Sequence, residues 1–213
     1  MIFEESKTKP EAEQKPQEQQ MVLPNDLRIL GLYGEVEEGK ALHAISFLID
    51  YSENSKVLVP KEGQEDKEDP ELVELSLPVE FMISTPGGSA DDMFAIYDIM
   101  RVAREKCDII TYGIGKVMSA GVLLLAAGTK GKRKIGKHCR VMIHSVVAGS
   151  AGSFHNLENE MSEIRHTQDS YIKALAKETK MTPSKIRRLV DKKVNIYLSA
   201  EEAVELGIAD IIV

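Results

Sequence analysis

Tryptophan is absent from this 213-residue chain and all aromatics together make up only 5% of it, so aliphatic side chains must fill the core. With 43% hydrophobic residues and this length, the chain can bury one good core and is of the size usual for a single domain. Only two cysteines occur, Cys107 and Cys139. They cannot make a disulfide framework and lack metal-ligand spacing, which predicts two reduced thiols and no metal site. No apolar run approaches the roughly 20 residues needed to span a bilayer. The amino terminus also has no apolar signal-peptide core. These absences predict a soluble, cytoplasmic protein without a membrane partner. A net charge of −7 leaves no excess of basic surface, which argues against nucleic-acid binding. The one basic cluster, Lys130 to Lys137, is short, alternates with glycine and reads as a solvated turn or edge.

Two stretches are polar throughout. Residues 1–20 are almost wholly Glu, Gln, Lys, Pro and Ala, too poor in apolar surface to order themselves. A flexible segment over 1–24 is therefore expected ahead of one domain over 25–213. Pro60 to Pro70, dense in charge and turn formers, reads as an exposed loop inside that domain.

Between them the apolar pattern alternates between strand and helix. Arg28 to Tyr33, Val79 to Ser84, Asp108 to Ile114, Arg140 to Ile143 and Ile208 to Val213 read as strands. Helical spacing marks Ala41 to Ile49, the stretch after Ser89, Ser119 to Ala127, a long run from near Ser153, Met181 to Val190, and the stretch after Ser199. Ser89, Thr182 and Ser199 stand where N-caps belong, with Pro183 at a first helical position and Glu202 completing a capping box. Strands alternating with helices of this length imply βαβ units and an α/β fold.

Two glycine-bearing turns could carry chemistry. Ser84 to Asp92, STPGGSADD, follows a buried strand and opens a helix, and Gly87 and Gly88 there can turn free N–H groups outward. Gly115 to Gly121, GKVMSAG, sets Ser119 at the start of an apolar helix, where free amides favour an anion beside the hydroxyl. Taken alone, the first turn also fits an ordinary strand-to-helix connection and Ser119 a simple helix cap. Among five histidines, His144 alone ends a strand, at an edge where open α/β sheets form ligand crevices. It equally fits a structural histidine. His43, His138, His155 and His166 fall in helices or the basic turn and read as solvated or structural.

In order and spacing, STPGG, MFAIYDIM, GKVMSAGVLLLAAGTKGKR, RVMIH and YLSAEEAVELGIAD closely resemble the proteolytic subunits of Clp proteases. The resemblance runs from about Arg28 to Val213 and is weakest at 56–77, which looks like an exposed insertion. It implies a crotonase-like α/β sandwich in which the helix from Ser153 to about Lys180 is a handle joining two rings. It further implies a serine endopeptidase with Ser119 as nucleophile, His144 as general base, and the backbone N–H groups of Gly88 and Ala120 as oxyanion donors. The implied assembly is two stacked seven-membered rings, a tetradecamer, enclosing a chamber. A hexameric AAA+ unfoldase of the ClpX, ClpA or ClpC type would feed it unfolded polypeptides and consume the ATP, so the chain itself needs no cofactor.

One position departs from the family. Asn195 stands where its triad carries Asp, shortly before Tyr197-Leu198-Ser199-Ala200. An amide oxygen can orient an imidazole but brings no charge. Asp191 is the alternative third member if the local backbone is rearranged. Two further readings remain: a non-catalytic ring subunit of a mixed assembly, and a crotonase-type acyl-CoA enzyme. The Ser–His pair argues against both.

Overall fold

The computed structural model describes residues 27–192 and 194–213. The flexible segment expected over 1–24 lies outside these residues. The protein is a mixed α/β fold built on a mostly parallel sheet of seven strands. Its centre is β1 (Ile29–Tyr33), β4 (Val79–Thr85) and β5 (Ile109–Met118), paired in parallel in that order. β5 is longer than the strand read from the sequence and bends at Gly115, whose φ is +65°. Before the bend it pairs with β6 (Lys134–Ile135), and after it with β7 (Arg140–Ile143). β6 continues to β9 (Ile211–Ile212), and β7 pairs antiparallel with β8 (Ile196–Leu198). The register between β4 and β5 also slips, from Ile83 opposite Gly113 to Thr85 opposite Val117. The bend and the slip together bring the carboxyl ends of β4, β5 and β7 to one place, where the catalytic candidates lie.

Helices form where apolar spacing and caps coincide. α1 (Glu38–Glu53), α2 (Ala90–Ala103) and α3 (Ala120–Ala126) pack against the sheet, and every residue of α3 is buried. Ser89 caps α2 by accepting the Asp92 N–H at 3.2 Å, and Asp91 and Asp92 sit at the favourable end of the dipole. Thr182 caps α5 (Pro183–Val190). Ser199 and Glu202 form the expected capping box on α6 (Ala200–Glu205). α4 (Phe154–Glu178) has two halves of different character. Tyr171, Ile172, Leu175 and Glu178 are buried, whereas its front half is exposed, with Phe154 68% and Met161 51% accessible.

The segment at 56–77 contains more structure than a loop. β2 (Lys56–Pro60) and β3 (Leu72–Ser76) form a two-stranded antiparallel hairpin around the polar stretch. Val57 pairs with Leu75 and Val59 with Val73, giving the hairpin one apolar face.

The reading of Lys130 to Lys137 as wholly solvated needs correcting at Arg133. That side chain is buried and donates to Asp210 Oδ2 at 2.7 Å and to the carbonyls of Glu178 and Ala126 at 2.7 and 3.1 Å. A buried guanidinium is tolerable here because one carboxylate and two carbonyls face it. A second buried pair lies nearby. Arg104 grips Glu178 with two hydrogen bonds of 2.9 and 3.1 Å, and Tyr97 donates to the same carboxylate at 3.0 Å. Burial alone would raise the Glu178 pKa, but these donors outweigh it and hold the carboxyl below its ordinary value.

Candidate active site

β4 ends at Thr85, whose hydroxyl accepts the Gly87 N–H at 3.0 Å and so tightens the turn that follows. Beyond the turn, Gly88 forms a parallel bridge with Val36. The Val36 N–H donates to the Gly87 carbonyl, and the Ser89 N–H donates to the Val36 carbonyl, both at 2.9 Å. That pattern uses the groups on either side of Gly88 and leaves its own N–H pointing away from Val36. Only glycine fits. A Cβ at Gly88 would lie 2.1 Å from the Val36 carbonyl oxygen, and φ is +154°.

Ser119 sits between the end of β5 and the start of α3. Its φ of 53° makes it the only non-glycine residue with positive φ among the described residues. The main chain there is held from three sides. The Ser119 N–H donates to the Met142 carbonyl at 2.8 Å, and the Ser119 carbonyl accepts the Val122 N–H at 3.0 Å and the Tyr171 hydroxyl at 3.2 Å. Its side chain makes no capping hydrogen bond. The reading of Ser119 as a simple helix cap therefore fails, and the hydroxyl stays available. Ala120 opens α3, and its N–H makes no hydrogen bond to the main chain among the described residues.

His144 follows the last residue of β7 and is half-buried. Its ring makes no hydrogen bond to another described residue, which does not fit a satisfied structural histidine. Ser119, Ala120, Gly87, Gly88 and His144 all line one cavity of about 350 Å³, together with Glu35, Met93, Thr167 and Tyr171. No hydrogen bond joins Ser119 Oγ to His144 among the described residues, so the pair shares the cavity without being closed. Such contacts commonly tighten only when substrate is bound. The other histidines lie elsewhere: His43 stacks on Phe47 at 4.4 Å, His155 lies 3.6 Å from Glu158, and His138 and His166 are exposed.

Asn195 is exposed and does not line the cavity. The β7–β8 register nevertheless points to it. Val141 faces Leu198, Met142 faces Tyr197 and Ile143 faces Ile196, where the ladder ends; His144 follows the one strand there and Asn195 precedes the other. Asp191 is the C-cap of α5, outside this ladder. Tyr171 and Glu35 were not singled out by sequence reasoning. Tyr171 carries only the signal of an apolar position in a long helix, and its contact with Ser119 spans 52 residues.

Burial lowers the His144 pKa. The acid limb of kcat/KM on a short peptide should therefore have its midpoint below the ordinary histidine value of about 6.5. Any stability contributed by neutral His144 is complete above that value and lost as pH falls through the lowered one. A pH–rate profile with an acid midpoint above 6.5 would instead indicate an ionised partner.

The family model described as Clp protease matches residues 71–213, from β3 to the carboxyl end. An ATP-dependent Clp protease proteolytic subunit 2 of Prochlorococcus marinus is 39% identical over 136 residues, covering 63% of this chain and 66% of that protein. A subunit 4 of Rhodococcus jostii is 38% identical over 131 residues, covering 62% and 66%. Another Prochlorococcus marinus subunit 2 is 35% identical over 186 residues, covering 86% of this chain and 79% of that relative. The chain thus spans about two thirds of the length of the first two relatives. With the family model matching more than half of its residues, the chain belongs to the Clp protease family.

Proposed function

We propose that the chain is a serine endopeptidase, the proteolytic subunit of an ATP-dependent Clp-type protease that hydrolyses unfolded polypeptides. The observation that carries this is a serine hydroxyl without a capping bond, in one cavity with a histidine and two backbone N–H groups that have no hydrogen-bond partner among the described residues. In the reaction Ser119 Oγ attacks the scissile carbonyl carbon while His144 takes its proton. The oxyanion accepts from the N–H groups of Gly88 and Ala120, and His144 then returns the proton to the leaving amine. Water, deprotonated by the same imidazole, releases the acyl group. Family membership and the Ser–His pair favour this over a crotonase-type acyl-CoA reaction.

The finer architecture follows the same reading. The fold is a crotonase-like sandwich, and α4 is the handle through which two seven-membered rings stack. Its exposed front half, carrying Phe154, Leu157 and Met161, supports this, because nothing in the chain covers those apolar side chains among the described residues. An AAA+ unfoldase of the ClpX, ClpA or ClpC type supplies substrate and uses the ATP, consistent with the relatives' names. Labelling with a fluorophosphonate probe tests the enzymatic reading against that of a non-catalytic ring subunit. The adduct should map to Ser119, and an intact assembly that takes up no probe would leave the non-catalytic reading.

The third triad position is assigned to Asn195, supported by its place next to the last β7–β8 pair, Ile143 with Ile196, at the same end of the ladder as His144. In a serine protease built with Asp, exchange for Asn costs about 10⁴ in kcat. Asn195→Asp should therefore raise kcat on a small peptide, while Asp191→Asn leaves it within about twofold, roughly 0.4 kcal/mol. Loss of rate on Asp191→Asn with no change at Asn195 would move the role to Asp191. Shifts below twofold for both would leave a Ser–His dyad.

A further inference from the structure

The hydroxyl of Tyr171 reaches across from α4 to the carbonyl oxygen of Ser119, at 3.2 Å. The side chain is buried, only 7% exposed, at the wall of the cavity that holds Ser119 and His144. The accepting carbonyl belongs to the peptide group between Ser119 and Ala120, and the N–H of that group is one of the two oxyanion donors assigned above. A trans peptide is planar, with its C=O and N–H directed oppositely. Holding one end therefore aims the other. A donor on the carbonyl also polarises the amide, so its N–H becomes a stronger donor in turn.

The need for such a hold is visible in the backbone. Ser119 has φ 53° and ψ −118°, a conformation that L-residues rarely adopt without support. The Val122 N–H binds the same carbonyl at 3.0 Å, but it lies within the first turn of α3 and moves with it. Tyr171 binds from a different helix and ties the peptide group to the protein outside α3.

We infer that Tyr171 is a positioning residue for the oxyanion hole, orienting and polarising the Ser119–Ala120 peptide through its carbonyl. The inference rests on the proposed serine peptidase reading. It requires Tyr171 to act on the tetrahedral state and not on substrate binding.

Tyr171→Phe keeps the ring and removes the hydroxyl. Loss of one neutral hydrogen bond predicts a fall in kcat of about three- to tenfold. KM should stay within about twofold, because the hydroxyl is engaged by the Ser119 carbonyl. A peptide boronate, whose adduct with Ser119 Oγ is tetrahedral and anionic, should lose affinity by the same factor as kcat. A purely structural tyrosine would lower the unfolding temperature without producing that parallel loss. Wild-type kcat together with wild-type boronate affinity overturns the inference. Should Tyr171→Phe fail to fold, a fluorinated tyrosine at position 171 keeps the shape and strengthens the donor. It should raise kcat and tighten the boronate, and no change in either overturns the inference. The two levels separate cleanly. If Ser119→Ala still cleaves peptide, the peptidase site itself is wrong; if Ser119→Ala is inactive and Tyr171→Phe behaves as wild type, only the role of Tyr171 is wrong.

Discussion

Ser119→Ala should abolish cleavage of a fluorogenic peptide while leaving the thermal unfolding midpoint and the assembly state unchanged. The two halves of this result have separate causes. Activity disappears because the attacking oxygen is gone, and members of such a site act as a unit, so residual turnover should fall below about one part in 10³. Stability survives because the hydroxyl makes no capping bond and the removed group is small. The strained backbone at φ 53° is inherited unchanged, since alanine meets the same penalty there as serine. With no hydrogen bond lost and little volume removed, the change in stability should stay below about 1 kcal/mol. Turnover above one part in 10³, measured on protein free of wild-type subunits, would point to another nucleophile.

Gly88→Ala should damage both activity and stability. The added methyl would meet the Val36 carbonyl oxygen at 2.1 Å and the Val36 nitrogen at 2.7 Å. Both are backbone atoms, so neither can rotate away as a side chain would. Relief requires breaking the bridge that fixes the segment from Gly87 to Ser89, which re-aims the Gly88 N–H. Loss of one oxyanion donor typically costs about 10²–10³ in kcat, and the variant should fall in that range. The strained dihedral adds a stability cost of about 1–3 kcal/mol, readable by denaturant unfolding. Gly63→Ala is the matching control. It also has positive φ, +79°, but nothing lies within 4 Å of its would-be Cβ at the tip of the hairpin. It should lose about 1–2 kcal/mol from the backbone strain alone and no activity. If Gly88→Ala cleaves peptide at the wild-type rate, the amide at 88 is not an oxyanion donor.

How much of this protein can be read from its residues depends on the range of the interaction that decides each feature. Helix starts were readable because a cap and its partner lie three residues apart: Ser89 with Asp92, Thr182 with Lys185, Ser199 with Glu202. The longer central strands showed through their pattern, while β2, β3, β6 and β8 did not; a glycine turn and a strand end made Ser119 and His144 candidates, and the family resemblance gave them their roles. The same local logic misjudged Arg133. In a run of lysines it looks solvated, and it is turned inward by Asp210, 77 residues away, with the carbonyls of Glu178 and Ala126. Glu178 carried no signal of burial, since Arg104 is 74 residues distant and Tyr97 is 81.

The site divides along the same line. Residue types, turns and caps followed from short-range chemistry, and so were settled by the order of residues along the chain. Four relations were not: the slip between β4 and β5 that brings Gly87 beside Ser119, the bridge of Gly88 to Val36, the pairing of β7 with β8 that ends next to His144 and Asn195, and the Tyr171 contact. Each joins segments whose separation in sequence carries no periodic or compositional trace. Sheet pairing and side-chain packing decide them, and these act only once the core has closed.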